Sequence, residues 1–438
     1  MQKIKNFLYK KLRLSEKYTK TDTVYLAKGG FWLTINNVIS SIVIFVLAIA
    51  FANLLPKEIY GTYKYVISIM GIFSVATLRG FDSIVTQAVA KGVEGVLIPS
   101  VKISIHWGIL GSLASILTAI YYYINSNPPL FYAFLLVALF IPVFETFNLY
   151  NSYLNGKKLF KVSAIIGTVS QVFATIAMAI TILLTDNLFL VLFVYFSSWT
   201  IIRFSALQIV LHKFPPNQNY DPDVIPYGKH TSFVGAVSTA IGSVDSVLLF
   251  HYLGPTQLAI YSFALAPIFQ LNSTIKQLPI LAIPKFAGRP IKNINELLFK
   301  RFTWLFMTGL AIAIIYIIFA PYIFKLFFPK YIDAILFSQV FSFIIPITLA
   351  QSILGAAVTS RATMIPKKML YLWNTPSALF TGSMFLLIPW FGIIGVLIAK
   401  FLSSLSITIV SLIMWKKIVK IDQERQLKNS TQKPRYIQ

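Results

Sequence analysis

Two short stretches of the sequence, LPKEIYGTY at residues 55–63 and LGPTQLAIY at residues 253–261, share a pattern that decides the fold. Each begins with Leu, has Pro one or two places later, a small residue at the seventh place and Tyr at the ninth. The two tyrosines, Tyr63 and Tyr261, are 198 residues apart, which is close to half of the 438-residue chain. This spacing predicts an internal duplication.

The composition places both halves of the chain in a membrane. Hydrophobic residues make up 57% of the sequence and charged residues 12%, whereas a water-soluble domain carries about 25% charged residues. About 20 apolar residues cross a bilayer as a helix, and twelve runs of suitable length occur. Their predicted bounds are 30–54, 59–78, 98–123, 130–154, 159–184, 188–211, 227–253, 257–283, 298–321, 334–358, 368–390 and 391–416.

The two similar stretches join spans 1 and 2 and spans 7 and 8, so the duplication unit is six helices. Because six is an even number, both halves have the same orientation and are related by an axis along the membrane normal. The sequence therefore predicts an all-α integral membrane protein with 12 transmembrane helices in two six-helix bundles, which enclose a cleft.

The positions of the cations predict the orientation. The net charge is +24, but the Lys and Arg residues lie in short segments between apolar runs and form no single basic face, which argues against nucleic acid as a partner. Positively charged loops stay in the cytoplasm, and this places both termini there. The predicted parts are an interfacial helix at 1–28, bundles at 29–213 and 227–417, a cytoplasmic linker at 214–226, and a basic tail at 418–438 that is disordered from residue 421.

Several classes of protein are disfavoured by what the sequence lacks. It has no Cys and 4 His without a zinc-binding pair, so neither a thiolate site nor another metal site is expected. No phosphate-binding glycine loop occurs, and every outer loop is too short for a catalytic domain. We expect no enzyme and no cofactor.

A longer stretch carries a family resemblance. GGFWLTINNVISSIVIFVLAIAFANLLPKEIYGTYKYVISIMGIFSV at residues 29–75 resembles the opening of bacterial polysaccharide-biosynthesis flippases of the O-antigen type, in the multidrug/oligosaccharidyl-lipid/polysaccharide exporter superfamily. The twelve spans and the six-plus-six repeat extend this resemblance over the whole chain. It implies alternating access, an undecaprenyl-diphosphate-linked oligosaccharide as cargo, and a place in the bacterial cytoplasmic membrane. It supplies no catalytic residue.

Charged and polar residues inside the apolar runs are the candidate functional residues, because a charge at bilayer depth costs about 2.5 to 3.5 kcal/mol on insertion scales. The candidates for cargo binding are the cations Lys400, Lys276, Lys64 and Arg203. Glu145 and Asp245 are predicted to form ion pairs or to carry a coupling H⁺ or Na⁺. The polar residues expected to line the cleft are Asn37, Asn148, Gln270, Asn272 and Ser404.

Each of these residues also has a purely structural interpretation. The lysines could form ion pairs or extend to an interface, Arg203 could anchor its helix there, and Ser and Gly could mediate helix packing. Prolines inside the spans, among them Pro142 and Pro346, predict kinks that would let the cleft open.

We hypothesise that the lysines line a hydrated path for a lipid diphosphate, with membrane lipids and a polysaccharide polymerase as further partners. The main alternative is a cation-coupled multidrug exporter of the same architecture. A polysaccharide polymerase or ligase, or a scaffold for glycan assembly, is a further alternative.

Overall fold

The computed structural model describes residues 23–275, 283, 286, 289–361, 364 and 367–431. Within them the chain is almost entirely helical and contains no β-strand. The helices are α1 (Thr23–Leu54), α2 (Lys57–Phe73), α3 (Phe81–Ala90), α4 (Leu97–Ile124), α5 (Pro128–Phe144), α6 (Leu149–Gly156), α7 (Phe160–Leu184), α8 (Leu188–Lys213), α9 (Val224–Ile275), α10 (Ile291–Phe327), α11 (Ile335–Ser342), α12 (Ile344–Thr359), α13 (Lys367–Phe391) and α14 (Ile393–Thr431).

These helices account for the twelve predicted spans. Among the described residues, nine helical segments are long and apolar enough to cross a membrane, and Thr375–Phe391 is a shorter apolar helix. The seventh predicted span and the eighth as far as Ile275 lie in α9, whose helical backbone is interrupted at Gly254, where φ is 82°. The predicted all-α membrane fold is confirmed.

The chain divides into two compact units, Met1–Val247 and Leu248–Gln438. Each unit contains the same close contact between its third and fourth spans. A Cβ added to Gly108 on α4 would lie 2.7 Å from the Cα of Pro142 on α5, and one added to Gly309 on α10 would lie 2.6 Å from the Cα of Pro346 on α12. The predicted repeat is therefore visible in the packing as well as in the sequence.

The two stretches that revealed the repeat occupy equivalent places. In the first unit Pro56 precedes the first residue of α2, and in the second unit the helix breaks at Gly254. Tyr63 and Tyr261 are both buried, with 7% and 3% of their surface exposed. The ninth-position tyrosine is thus a core residue of each unit.

Two spans in which prolines predicted kinks are each broken into two helices. The fourth span is α5, a short 3₁₀ turn at Thr146–Asn148, and then α6. The tenth span is α11 followed by α12, with Phe343 between them. Each break lies three residues from a proline: Pro142 precedes the break in the first unit and Pro346 follows the break in the second. Because proline has no N–H, Pro346 cannot donate to the Ser342 carbonyl across its break.

The structure describes most of the C-terminal tail but only the last part of the N-terminal segment. The prediction of a disordered tail from Ile421 is wrong as far as Thr431, because α14 continues without interruption to that residue. The interfacial helix predicted at 1–28 lies mainly outside the described residues, although Thr23 already belongs to α1.

The linker after α8 is fastened to the turn before α4 by the side chain of Glu94. The Glu94 carboxylate accepts hydrogen bonds from Lys157 Nζ at 2.9 Å and from the Asn217 backbone N–H at 3.1 Å. Asn217 in turn donates from its side chain to the Gly92 carbonyl at 2.9 Å. The Tyr153 hydroxyl also lies 3.0 Å from the carboxylate. The first part of the linker is therefore a fixed part of the first unit.

Candidate functional site

The break between α5 and α6 creates a polar point inside the first unit. The Asn148 N–H bonds to the Glu145 carbonyl at 3.0 Å, which leaves the Phe144 carbonyl without the helical partner that it would have in an unbroken helix. Arg203 Nη1 on α8 donates to that carbonyl at 2.6 Å. Because a buried carbonyl without a partner is costly, this arginine stabilises the break.

Glu145 stands at the same break and lies between two arginines. Its Oε2 is 3.6 Å from Arg203 Nη1, and its Oε1 is 3.5 Å from Arg79 Nη2. The side chain of Glu145 is 27% exposed, that of Arg203 13% and that of Arg79 39%. The carboxylate thus joins one nearly buried arginine to one that is open to solvent.

Asp82 on α3 adds a second carboxylate. The Ser152 hydroxyl on α6 donates to Asp82 Oδ1 at 3.2 Å. Asp82 keeps an exposed surface, yet the surrounding protein atoms desolvate its carboxyl and raise the pKa; Glu145 acts in the same direction, while Ser152 and the two arginines oppose the shift. We call Arg79, Asp82, Glu145 and Arg203 the four-charge cluster.

Arg203 is held by aromatic rings as well as by polar groups. Its guanidinium carbon lies 4.7 Å from the centre of the Phe144 ring and 4.8 Å from that of Trp199. Its Nε is buried and has no hydrogen-bond partner among the described residues. Such packing between two rings suits the flat guanidinium group.

Arg79 lies on a tight loop that is attached to α9. Leu78 has φ 59°, and the Gly80 N–H donates to the Ser232 hydroxyl at 3.0 Å. A Cβ at Gly80 would be 2.5 Å from the Ser232 nitrogen, so only glycine fits there. Arg79, Thr231 and Ser232 line a cavity of about 250 Å³ in this unit. The Thr231 and Ser232 hydroxyls donate to the Tyr227 and Gly228 carbonyls of α9, so Arg79 borders a hollow in which these two donors are already used.

The structure brings together some of the predicted candidates in the first unit. Arg203 meets Glu145, as described. Lys64 on α2 is half-buried and interacts electrostatically with Asp245 on α9. Asp245 Oδ1 also accepts the Ser246 backbone N–H at 2.7 Å. Asn37 is exposed on α1 and Asn148 is half-buried in the 3₁₀ turn.

In the second unit the candidates are spread over several helices. Lys400 and Ser404 are half-buried on α14, and Gln270 is half-buried on α9. Asn272 Oδ1 accepts a hydrogen bond from the Thr348 hydroxyl on α12 at 3.1 Å. Lys276 lies outside the described residues.

Sequence reasoning missed Arg79 and Asp82. Both belong to the stretch LRGFD at 78–82, which lies between the second and third apolar runs and was assigned to a loop. A signal was available, since two opposite charges around a Gly next to a span end mark a close backbone approach. The partners of Glu145 were expected to be lysines, and the structure shows arginines.

The site combines two guanidinium groups with the carboxylates of Glu145 and Asp82, so its formal charges balance. Two guanidinium groups with fixed orientation suit carboxylate or phosphate oxygens. Among the described residues there is no group of three or more His, Cys, Asp or Glu side chains that could hold a metal ion.

A family model described as "Polysaccharide biosynthesis protein" matches residues 26–287. No curated protein matches the chain significantly. The fold is similar to solved structures at low sequence identity. A structure of the lipid II flippase MurJ in an inward closed conformation has a TM-score of 0.64 and 12% identity, covering 90% of this chain and 90% of that chain.

Multidrug transporters of the MATE family have the same fold. The eukaryotic MATE transporter AtDTX14 has a TM-score of 0.59 and 14% identity, with 91% of this chain and 97% of that chain covered. An inward-facing MATE transporter of the MOP superfamily has a TM-score of 0.54 and 14% identity, with 88% and 96% covered.

Proposed function

Because the chain belongs to the polysaccharide biosynthesis protein family of the MOP exporters, we propose that it is a flippase for an undecaprenyl-diphosphate-linked oligosaccharide in a bacterial cytoplasmic membrane. The observation that carries the proposal is the pair Arg79 and Arg203, which presents two guanidinium groups within a membrane-embedded unit. Arg203 lies inside the sixth predicted span, where a charge is expensive and often marks a functional site, and Arg79 lies in the loop that follows the second span. The cargo with which they are compatible is an anion.

The predicted path for this anion extends beyond the two arginines. Lys400, Lys276 and Lys64 remain its proposed cations, and Asp245 partly balances the charge of Lys64. Polar side chains such as Asn148 would bind sugar hydroxyls. The isoprenoid tail stays in the lipid, and H⁺ or Na⁺ drives alternating access. Both termini lie in the cytoplasm, and the proposed partners include membrane lipids and polysaccharide polymerase machinery.

The proposal is tested by transport into the outer leaflet of vesicles. The purified protein is reconstituted with a fluorescent lipid-linked oligosaccharide, and the fraction that becomes accessible to an added glycosidase is measured over time. We expect Lys400→Ala to slow the transfer about tenfold and Lys400→Arg to restore part of the rate, since each removed charge contact is worth about 1.5 to 3 kcal/mol.

Lys416→Ala is the matched control, because Lys416 is an exposed lysine on the same helix. Equal rates for Lys400→Ala, Lys416→Ala and the unmodified protein would remove Lys400 from the mechanism. Absence of transfer by the unmodified protein would overturn the flippase proposal itself.

A cation-coupled multidrug exporter is the second candidate, since MATE transporters share the fold over most of both chains. A cationic drug needs an acidic site. Glu145 is held between two arginines, so that part of the first unit offers no excess negative charge. Efflux of a fluorescent organic cation from vesicles, without transfer of lipid-linked oligosaccharide, would favour this second function.

A further inference from the structure

A cavity in the first unit lies between α4 and α9, beside the end of α2. Its volume is about 310 Å³, which is roughly ten times the volume that a water molecule occupies in the liquid. The side chains that line it are apolar, with the exception of Ser232, whose hydroxyl already donates to the Gly228 carbonyl. Because such a cavity offers water few hydrogen-bond partners, a hydrocarbon chain suits it better than water does.

One face of each helix forms a wall of this cavity. On α4 the wall runs from Trp107 to Ala114, and α9 contributes a similar wall that ends at Ala236. Within each wall the residues are three or four places apart, so they lie on one side of their helix and the cavity follows the helix axes. Leu110 and Phe233 line the cavity and are 54% and 57% exposed. The cavity therefore opens sideways, at the surface of the apolar span that contains α4.

A cation lies at one end of the cavity. Lys229 is three and four residues before Ser232 and Phe233 on α9, and its Nζ lies 5.6 Å from the centre of the Trp107 ring. The Trp107 ring also meets the Phe233 ring edge to face, with 5.8 Å between the ring centres. Among the residues that the structure describes, no carboxylate forms an ion pair with Lys229. An aromatic ring thus positions an unbalanced positive charge at the end of an apolar cavity.

This end of the cavity lies at the boundary of the hydrocarbon region. Helix α4 has 28 residues and ends at Ile124, and about 20 residues are enough to cross the hydrocarbon. Counting back from Ile124 by that length reaches Ile105, close to Trp107. Exposed Lys102 lies beyond this boundary, on the same end of α4. Trp and Lys side chains are typical of the region where lipid head groups begin, and the predicted orientation makes this the cytoplasmic leaflet.

We propose that this cavity binds an anionic phospholipid: one acyl chain lies between α4 and α9, and the phosphate accepts a hydrogen bond from the ammonium group of Lys229. A basic pocket between membrane helices on the cytoplasmic side suits an anionic head group. A zwitterionic head group carries an amine of its own, which the charges of Lys229 and Lys102 repel. One ammonium group at the end of the cavity matches the single phosphate of a phospholipid, whereas the proposed cargo has two phosphates. The inference thus goes beyond the proposed function.

Native mass spectrometry of the purified full-length protein in detergent measures this preference. Palmitoyl-oleoyl phosphatidylglycerol is added to one sample, and phosphatidylethanolamine with the same two chains is added to another. The dissociation constants of the first bound lipid are then compared. We expect phosphatidylglycerol to bind about fivefold more tightly, which is the contribution of one lysine next to an anionic lipid.

Two variants act on the two parts of the site. Lys229→Ala removes the contact with the head group, so phosphatidylglycerol binds about fivefold more weakly and phosphatidylethanolamine binds as before. Ala114→Leu fills part of the cavity, so both lipids bind several-fold more weakly, and the thermal unfolding midpoint shows that this variant is folded. The matched control is Lys213→Ala, which changes an exposed lysine at the end of α8 in the same unit and leaves both affinities unchanged.

Three outcomes overturn the inference: equal affinity of the unmodified protein for the two lipids, the same phosphatidylglycerol affinity in Lys229→Ala and Lys213→Ala, or unchanged lipid binding by folded Ala114→Leu. Undecaprenyl diphosphate and inorganic phosphate are added as competitors. Displacement of phosphatidylglycerol by equimolar undecaprenyl diphosphate would assign the cavity to the cargo and contradict a phospholipid site, and displacement by inorganic phosphate would show that the acyl chain contributes nothing. Each of these results leaves the flippase proposal intact, and failure of transport leaves the phospholipid site intact.

Discussion

Arg203 illustrates how one side chain can meet several needs of a membrane-embedded unit. Its guanidinium group donates to the Phe144 carbonyl at the helix break, lies near the Glu145 carboxylate and packs against two aromatic rings. A flat group with five donors can do this, whereas a point-like ammonium cannot. We therefore expect this residue to stabilise the fold as well as to take part in cargo binding.

We expect Arg203→Lys to destabilise the protein by about 1 to 3 kcal/mol, which is the usual cost of leaving a buried polar group without its partner. The measurement is the thermal unfolding midpoint of the purified protein in detergent. Arg301→Lys, at an exposed position on α10, is the control. Equal midpoints for the two variants would mean that the Phe144 carbonyl does not depend on Arg203.

At the scale of helices, the contacts between glycine and proline set how closely the third and fourth spans of each unit approach. Gly309 leaves no room for a methyl group beside Pro346. Overfilling a packed contact costs about 1 to 3 kcal/mol, so Gly309→Ala should lower the unfolding midpoint clearly.

The control for this change is Gly382→Ala, because a Cβ at Gly382 meets nothing within 4 Å. Alanine is a better helix former than glycine by about 1 kcal/mol, so this variant should be as stable as the unmodified protein or more stable. A Gly309→Ala protein that behaves like Gly382→Ala would show that the helices separate at no cost.

The linker contact is a second feature at this scale. The Glu94 carboxylate accepts hydrogen bonds from Lys157 and Asn217, and an uncharged glutamine would bind them less strongly. We therefore expect Glu94→Gln to speed cleavage by a protease within residues 214–223. Limited proteolysis followed by gel electrophoresis measures the rate. Glu58→Gln serves as the control because Glu58 is exposed in the first turn of a different helix. Unchanged cleavage would mean that the backbone contacts alone hold the linker.

For the whole molecule, the absence of Cys from the sequence makes the predicted orientation easy to test. Asp186, between α7 and α8, and Gln218, in the linker, are both exposed. We expect a membrane-impermeant thiol reagent to label Asp186→Cys in intact cells and Gln218→Cys only after permeabilisation, since cation-rich segments stay inside. Labelling of both from outside would contradict this orientation.

The sequence predicted the twelve spans and the repeat because apolar run length and the spacing of Tyr63 and Tyr261 are direct consequences of the fold. It predicted kinks at Pro142 and Pro346 but did not predict that the helices would end at Glu145 and Phe343, because a proline inside a span can kink a helix without ending it. It missed Arg79 because this residue lies in a loop outside the apolar runs, and only the folded structure shows its contact with Glu145. Contacts between distant segments leave no periodic signal.

The balanced charge of the four-charge cluster has an electrical consequence. A transmembrane voltage of 100 mV changes the energy of one elementary charge that crosses the membrane by about 2.3 kcal/mol. It exerts almost no net force on a group whose charges cancel. Movements of this cluster without cargo would therefore draw little current. Any voltage dependence from this part of the chain would arise in the loaded state. The membrane voltage would then influence the step that moves the cargo and would have little effect on the return of the empty protein.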